Sequence, residues 1–218
     1  MIDRILETEV MDTEQDSAEY DAMDHSSANA AVVERLLELG ATGQMLDIGT
    51  GPGHIPFLIC DRIPEAQITG IDLAEHMLDL ARKKLAGSAH RERIRFQSAD
   101  AKHLNFADNT FDVVYSNTIL HHIPDPEPFL REARRVLRPS GVLLIRDLFR
   151  PESSARIAEL VQLYAREESA LSQELFRASL HAGLTSEELR RVADAAGLSD
   201  AELVIDSDRH HTLQIKAS

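Results

Sequence analysis

From residue 44 onward the chain alternates short apolar runs with amphipathic ones, and few folds accept that alternation. The segments "QMLDIG", "QITGIDL", "IRFQSAD", "FDVVYSN" and "GVLLIRDL" read as five strands. Between them, "HIPFLICDRI", "EHMLDLARKKL" and "PEPFLREARRVLR" read as helices. Strands joined through a helix return to the same end of the sheet and so run parallel, and a parallel sheet needs helices over both faces. The pattern predicts an α/β fold with a doubly wound sheet.

After Pro151 the alternation stops. A long helical region is expected from about residue 153 to 181. "TSEELRRVADAAGL" then reads as a helix capped by Thr185 with Glu188 and ended by Gly197. The strands "AELVIDSD" and "HHTLQIKA" follow as an antiparallel pair at the sheet edge. Ahead of the sheet, "ANAAVVERLLELG" is an amphipathic helix closed by Gly40. At 218 residues the chain is expected to form one domain. It divides into an N-terminal helical or lid segment (1–43), a core (44–150), a helical insert that contributes to a second ligand's site (151–184), and a last helix with a β hairpin (185–218).

Apolar residues make up 43% and charged residues 28%, the balance of a soluble globular protein. No run of about 18 apolar residues occurs and the start is acidic, so a cytoplasmic chain without a membrane span is expected. The single cysteine, Cys60, reads as a packing residue. A net charge of −14 repels a phosphate backbone, and no nucleic acid partner is expected. The basic runs at 82–84 and 131–138 fall at helical spacing and read as solvated helix faces.

The chemistry concentrates where the first strand ends, in "MLDIGTGPGHIP". A strand running into a glycine turn and then a helix lets backbone approach a ligand at the carboxyl edge of the sheet. The dinucleotide pattern fails in both registers, because His54 or Pro56 stands where its third glycine belongs. No Walker lysine follows either. Asp47 offers a carboxylate where a phosphate loop would avoid one, which points to a ligand with an amino-acid end and a positive centre. Asp72 ends the second strand, as suits a ribose diol, and Asp100 ends the third, where it can face an exocyclic amine.

Taken as a set, "LDIGTGPG", "GIDLAEHMLDLARKK", "FQSADAKHLNFADNTFDVVYSNTILHHIPDP" and "LREARRVLRPSGVLLIRDL" resemble the motifs of the class I S-adenosylmethionine-dependent methyltransferases. Within that class they are similar to the small-molecule enzymes related to ubiquinone and menaquinone biosynthesis. The resemblance covers about residues 20–150. It implies a Rossmann-like seven-stranded sheet of order 3-2-1-4-5-7-6 with strand 7 antiparallel. The implied cofactor is S-adenosyl-L-methionine and the implied reaction is methyl transfer to a small molecule. Carried onto this sequence, it places Gly49, Thr50, Gly51, Gly53 and Asn117 around the methionine part and Asp72 on the ribose. Leu73 and Met77 would pack on adenine, with Asp100 and Ala101 at its amino edge.

Methyl transfer from a sulfonium needs an aligned nucleophile and a dry site, and needs a base only where the acceptor must lose a proton. In "SNTILHHIPDP" the candidates are His121 and His122; adjacent side chains diverge, and His122 is favoured as the pocket histidine and base. Acceptor contacts are also expected from Tyr20, His25 and Arg146, the last a charge at a sheet position that calls for an acidic substrate or Asp147 as partner. The insert adds Tyr164, Phe176 and His181. No His or Cys spacing matches a metal site, so no metal is expected. Residues 19–27, with Tyr20 and Met23 among acids, are expected to form a lid. The competing readings are an RNA or protein methyltransferase, which a chain this acidic disfavours, and a cofactor-binding module without turnover.

Overall fold

The computed structural model describes residues 2–7, 13, 17, 20–21 and 26–217. Strands β1 (Gln44–Ile48), β2 (Gln67–Asp72), β3 (Ile94–Ser98), β4 (Phe111–Asn117), β5 (Leu137–Leu148), β6 (Glu202–Ile205) and β7 (His210–Ile215) form one sheet in the order β3-β2-β1-β4-β5-β7-β6. β1 to β5 pair in parallel, and β7 is antiparallel to both β5 and β6. The chain winds outward from β1 to β3 and then returns to the centre for β4. That reversal leaves a crevice at the carboxyl ends of β1 and β4, because the flanking crossovers leave on opposite faces.

Side-chain alternation along each strand divides the interior into two cores. Leu46, Ile48, Val114, Leu143 and Ile145 face one side, where α4 (Glu127–Val136) contributes Phe129, Leu130 and Ala133 and α7 (Ser186–Ala195) contributes Leu189 and Ala193. Met45, Val113, Tyr115, Val142 and Leu144 face the other, under α1 (Ser26–Glu38) with Val32, Val33 and Leu36 and α2 (His54–Arg62) with Ile59 and Cys60. α3 (Glu75–Ala86) covers the β2–β3 end. Gly40, at φ +86°, ends α1 as the sequence suggests.

Three features differ from the sequence reading. The long helix expected from 153 to 181 is two, α5 (Ser154–Tyr164) and α6 (Ala170–Ala182), because Ser169 starts a new helix by accepting the Ser172 N–H. β5 begins at Leu137 rather than Gly141, straight after α4, and its pairing with β4 shifts register between Phe111 and Val113. The arginines of α4 are not simply solvated: Arg135 pairs with Glu132 and Asp108 and donates to the carbonyls of Leu104 and Phe106, tying the β3–β4 connection to the helix. Thr185 and Glu188 form the expected capping box, and Gly197 sits at φ +82°. No helix among the described residues is long and apolar enough to cross a membrane.

β7 carries two buried histidines. Burial, aided by the charges of Arg146 and Arg209, pushes His210 down to about 3, and burial alone dominates at His211, which falls to about 4. The unfolded chain binds a proton at each as pH falls below the usual histidine value while the native chain does not, so each removes stability on acidification. Replacing His211 by Gln is expected to remove a slope of about 1.4 kcal/mol per pH unit between pH 6.5 and about 4. Urea unfolding of both proteins at half-unit pH steps checks this; parallel curves would refute it.

Candidate functional site

The loop after β1 folds back onto β2, with the N–H groups of Gly49 and Thr50 both donating to Ile71 O at 2.8 and 2.9 Å. Its glycines have different reasons. A Cβ on Gly49 would lie 2.3 Å from Ile119 Cγ2, and one on Gly53 would lie 2.7 Å from Phe96 Cζ, so packing forbids a side chain at either. A Cβ on Gly51 would meet nothing within 4 Å, because that residue borders an open cleft. Asp72 steadies the loop: its Oδ2 accepts the Gly51 N–H at 2.8 Å and its Oδ1 the Ala74 N–H at 2.9 Å. The helix α3 that follows has its N-cap at Ala74.

The cleft, about 970 Å³ counting its open mouth, lies in the crevice at the carboxyl edge of the sheet. Its lining takes in Tyr20, Gly49, Gly51, Asp72, Leu73, Met77, Asp100, Ala101, Asn117 and His122. Lys102 binds Asp100 through its backbone N–H and its ammonium. Thr118, at the floor, holds φ +58°, a left-handed conformation that a β-branched residue adopts only under constraint. Its N–H donates to Arg146 O at 2.9 Å and its hydroxyl to Asn117 O at 2.8 Å.

Asp47, Thr50, Gly53, Arg146 and His121, all expected at the site, lie outside that lining. Asp47 shares a strand face with Met45 and Tyr115, so its carboxyl is buried beneath the loop, where it accepts the Thr50 hydroxyl at 2.7 Å. Burial, with Asp72 nearby, raises it to about 7. Thr50 is turned toward Asp47, and Gly53 packs on Phe96. Arg146 pairs with Asp206 rather than Asp147: its Nε donates to Asp206 at 2.8 Å and its Nη1 to Asn117 Oδ1 at 3.2 Å, a brace for the cleft. His25 and Met23 lie outside the described residues. Of the lid, Tyr20 reaches Thr118 across the cleft, and Asp21 pairs with Lys84 and with His54 at 2.7 Å. In the insert Phe176 packs in a core, Tyr164 bonds Asp208 beneath Arg209, and His181 Nδ1 is buried; none lines the cleft.

His121 and His122 occupy a 3-10 turn (Leu120–His122) just after β4. His121 is buried behind the cleft, its Nδ1 2.6 Å from Asp147 Oδ1. Asp147, the next-to-last residue of β5, also accepts the N–H groups of Leu120 at 2.5 Å and Leu148 at 2.6 Å, so one carboxylate pins the whole turn. Burial alone would raise Asp147 and lower His121, but their mutual charge wins, holding Asp147 below and His121 above its usual value. His122 faces the cleft, with Nδ1 2.9 Å from Glu7 Oε2. Glu7 was missed by sequence reasoning, since it lies over a hundred residues from its partners with no motif around it. Glu7, His121 and His122 place three potential metal-donor atoms within 4.8 Å of one another, a grouping that spacing along the chain did not reveal.

Residues 46–145 match the family described as a methyltransferase domain. Over that span, a little under half of the chain, the core is similar to the methyltransferase domains. Over 135 residues the chain is 39% identical to the ubiquinone/menaquinone biosynthesis C-methyltransferase UbiE of Desulfotalea psychrophila, covering 62% of this chain and 52% of that one. It thus spans about half the length of this curated relative. Phosphoethanolamine N-methyltransferase 2 of Haemonchus contortus, solved with S-adenosyl-L-methionine, superimposes with a TM-score of 0.62 at 25% identity over 82% of this chain and 38% of that one. The plantazolicin methyltransferase BamL gives 0.73 at 17% identity over 93% and 90%, a likeness of fold. The strand order is the one the resemblance implied.

The cleft suits the family's cofactor. Gly51 leaves open the space a side chain would fill, the strand-end acids Asp72 and Asp100 stand along one wall, and Leu73 and Met77 give an apolar surface between them. Breaking the Asp147–His121 pair is expected to cost about 3 kcal/mol, because it strands a buried charge. His121 is held above its usual value, so its share of that stability is complete below about pH 6.5 and is lost as pH rises through the raised value. Asp147→Asn should therefore destabilise most at pH 6 and less at pH 8.5, read from urea midpoints. A penalty that does not shrink with pH would mean that the carboxylate serves the backbone turn alone.

Proposed function

We propose that the chain transfers a methyl group from S-adenosylmethionine to a small-molecule acceptor. The observation that supports the reading is that Gly49, Gly51, Asp72, Leu73, Met77, Asp100, Ala101 and Asn117 line one cleft; in this reading the glycines and Asn117 take the methionine end, Asp72 the ribose, Leu73 and Met77 the adenine faces, and Asp100 with Ala101 its amino edge. When bound, the sulfonium supplies an electrophilic methyl and departs as a neutral thioether. The chain's own part is alignment and exclusion of water, with Tyr20 closing one side of the cleft and Asp21 latched to Lys84 and His54 beside the glycine loop. His122 receives the acceptor's proton where one must leave.

A small acceptor suits both the enclosed cleft and the charge of −14, which opposes approach of a phosphate backbone. The names of the similar enzymes point to acceptors of that size: a quinone precursor for UbiE and phosphoethanolamine for the nematode enzyme. Neither is assigned to this chain. We take residues 1–218 as one domain, with 151–184 supplying part of the acceptor side.

Asp72 gives the sharpest test. Asp72→Ala should weaken S-adenosylhomocysteine binding by about 1.5–3 kcal/mol, because hydrogen bonds to a charged acceptor are the strong ones. Titration calorimetry of wild type and variant reads this, with circular dichroism confirming that the variant folds. If the wild type binds neither S-adenosylmethionine nor its demethylated product at millimolar concentration, the proposed activity fails. Unchanged affinity in a folded variant would remove Asp72 from the ribose site.

A further inference from the structure

Residues 2–7 form a strap between the 3-10 turn and the C-terminal end of α6, outside the matched methyltransferase span. Arg4 fastens it, donating from Nε to Ala182 O at 2.6 Å, from Nη1 to Pro124 O at 3.1 Å, and from Nη2 to Ile123 O at 3.0 Å and His121 O at 3.3 Å. The Ile5 N–H donates to His181 O at 3.2 Å, and Arg150 Nε donates to Ile2 O at 3.1 Å. So many fixed contacts leave the strap little freedom. They carry the Glu7 carboxylate, 12% exposed, to His122 Nδ1 at 2.9 Å and to 4.0 Å from His121 Nε2. His122 Nδ1 and Glu7 Oε1 are buried and neither makes a hydrogen bond of good geometry among the described residues; Nδ1 and Glu7 Oε2 have the bonding distance but not the bonding direction, which a small turn of either side chain supplies.

A metal centre and a proton-handling pair both use such groups, and the rings decide between them. Two imidazoles binding one ion at about 2.1 Å with an angle of about 90–109° hold their centres about 4.6–5.3 Å apart. Here the centres are 4.1 Å apart and the rings overlap at a tilt of 38°, too close for a shared ion. Glu7 is also asymmetric, at bonding distance from one histidine and well beyond it from the other.

We propose that Glu7 is the positioning residue for His122: it accepts the Nδ1 proton, so that Nε2 carries the lone pair available to the cleft. This rests on the methyl-transfer reading above. In the transfer the acceptor's X–H bond breaks and its proton goes to Nε2, while the X–CH₃ bond forms as the S–CH₃ bond breaks. The positive charge lost at sulfur reappears on the imidazole, beside the Glu7 carboxylate. Such a carboxylate should stay ionised in spite of its burial, and it does: burial raises Glu7, but the His122 bond and the charges of both histidines outweigh it. Arg4, His121, Asp147 and, from α6, His181 are the other charged or titratable groups around the turn.

The test needs no acceptor. Histidine ¹⁵N spectra of the full chain with S-adenosylhomocysteine should find neutral His122 as the Nδ1–H tautomer, assigned by its loss in His122→Asn. Glu7→Leu keeps the volume but cannot accept a bond, so the tautomer should move to Nε2–H, the form preferred by a free imidazole. Glu7→Gln, whose amide oxygen still accepts, should restore Nδ1–H. Affinity for S-adenosylhomocysteine should stay within about twofold in both variants, in keeping with a group outside the cofactor contacts. An Nε2–H tautomer in the wild type, or one unmoved by Glu7→Leu, overturns the proposal. So does about one divalent ion per chain, found by elemental analysis in the wild type and lost in Glu7→Leu, which would make the cluster a metal centre. Failure of the wild type to bind S-adenosylhomocysteine would instead sink the underlying function.

Discussion

The carboxyl edge of the sheet depends on one buried carboxylate. Asp147 lies at the end of the central strand β5 with 1% of its surface exposed, and an ionised carboxylate taken that far from water loses several kcal/mol of hydration. Its partners return it: the His121 imidazole and the backbone N–H groups of Leu120, His121 and Leu148. Because the donors belong to β5 and to the turn after β4, satisfying the charge also fixes where that turn sits. His122, Ile119 and Thr118 inherit their positions from it, and Ile119 in turn packs so tightly on the glycine loop that only glycine fits at 49.

The same economy recurs on the other wall. Asp72 binds the Gly51 and Ala74 N–H groups, shaping the loop with the oxygens proposed to hold the ribose. A carboxylate accepts about four hydrogen bonds, so the structural and ligand roles are compatible. Arg146 braces Asn117 at the floor and ties the sheet centre to Asp206 beyond β6. The outer hairpin is thereby coupled to the cleft, which accounts for a charged residue inside the sheet. Glu7 extends the pattern to the far N-terminal strap, so that the proposed base is flanked by chain segments from both ends of the sequence.

Several features were legible because they are local. Strand and helix alternation follows from side-chain periodicity, Gly40 and Gly197 mark helix ends through the left-handed conformation, and Thr185 with Glu188 announces a cap within four residues. Asp47 shows a signal misread: in "MLDI" a period of two puts it on the face of Met45, beneath α1 and α2, rather than toward the cleft. The split between α5 and α6 was harder, since "AREES" keeps helical composition and only the Ser169 cap breaks it. For Arg146 the unusual charge was visible but its partner, 60 residues away, was not.

The sequence by itself determined the layered α/β architecture and the gathering of strand-end acids and glycines at the carboxyl edge of the sheet, because each depends on residues a few positions apart and on periodicities set by the backbone. Tertiary structure alone decided that Asp206 answers Arg146 and that Glu7 lies beside His122. Those pairings join segments whose separation along the chain carries no periodicity, and a buried charge reveals its counterpart only once packing has excluded water from both.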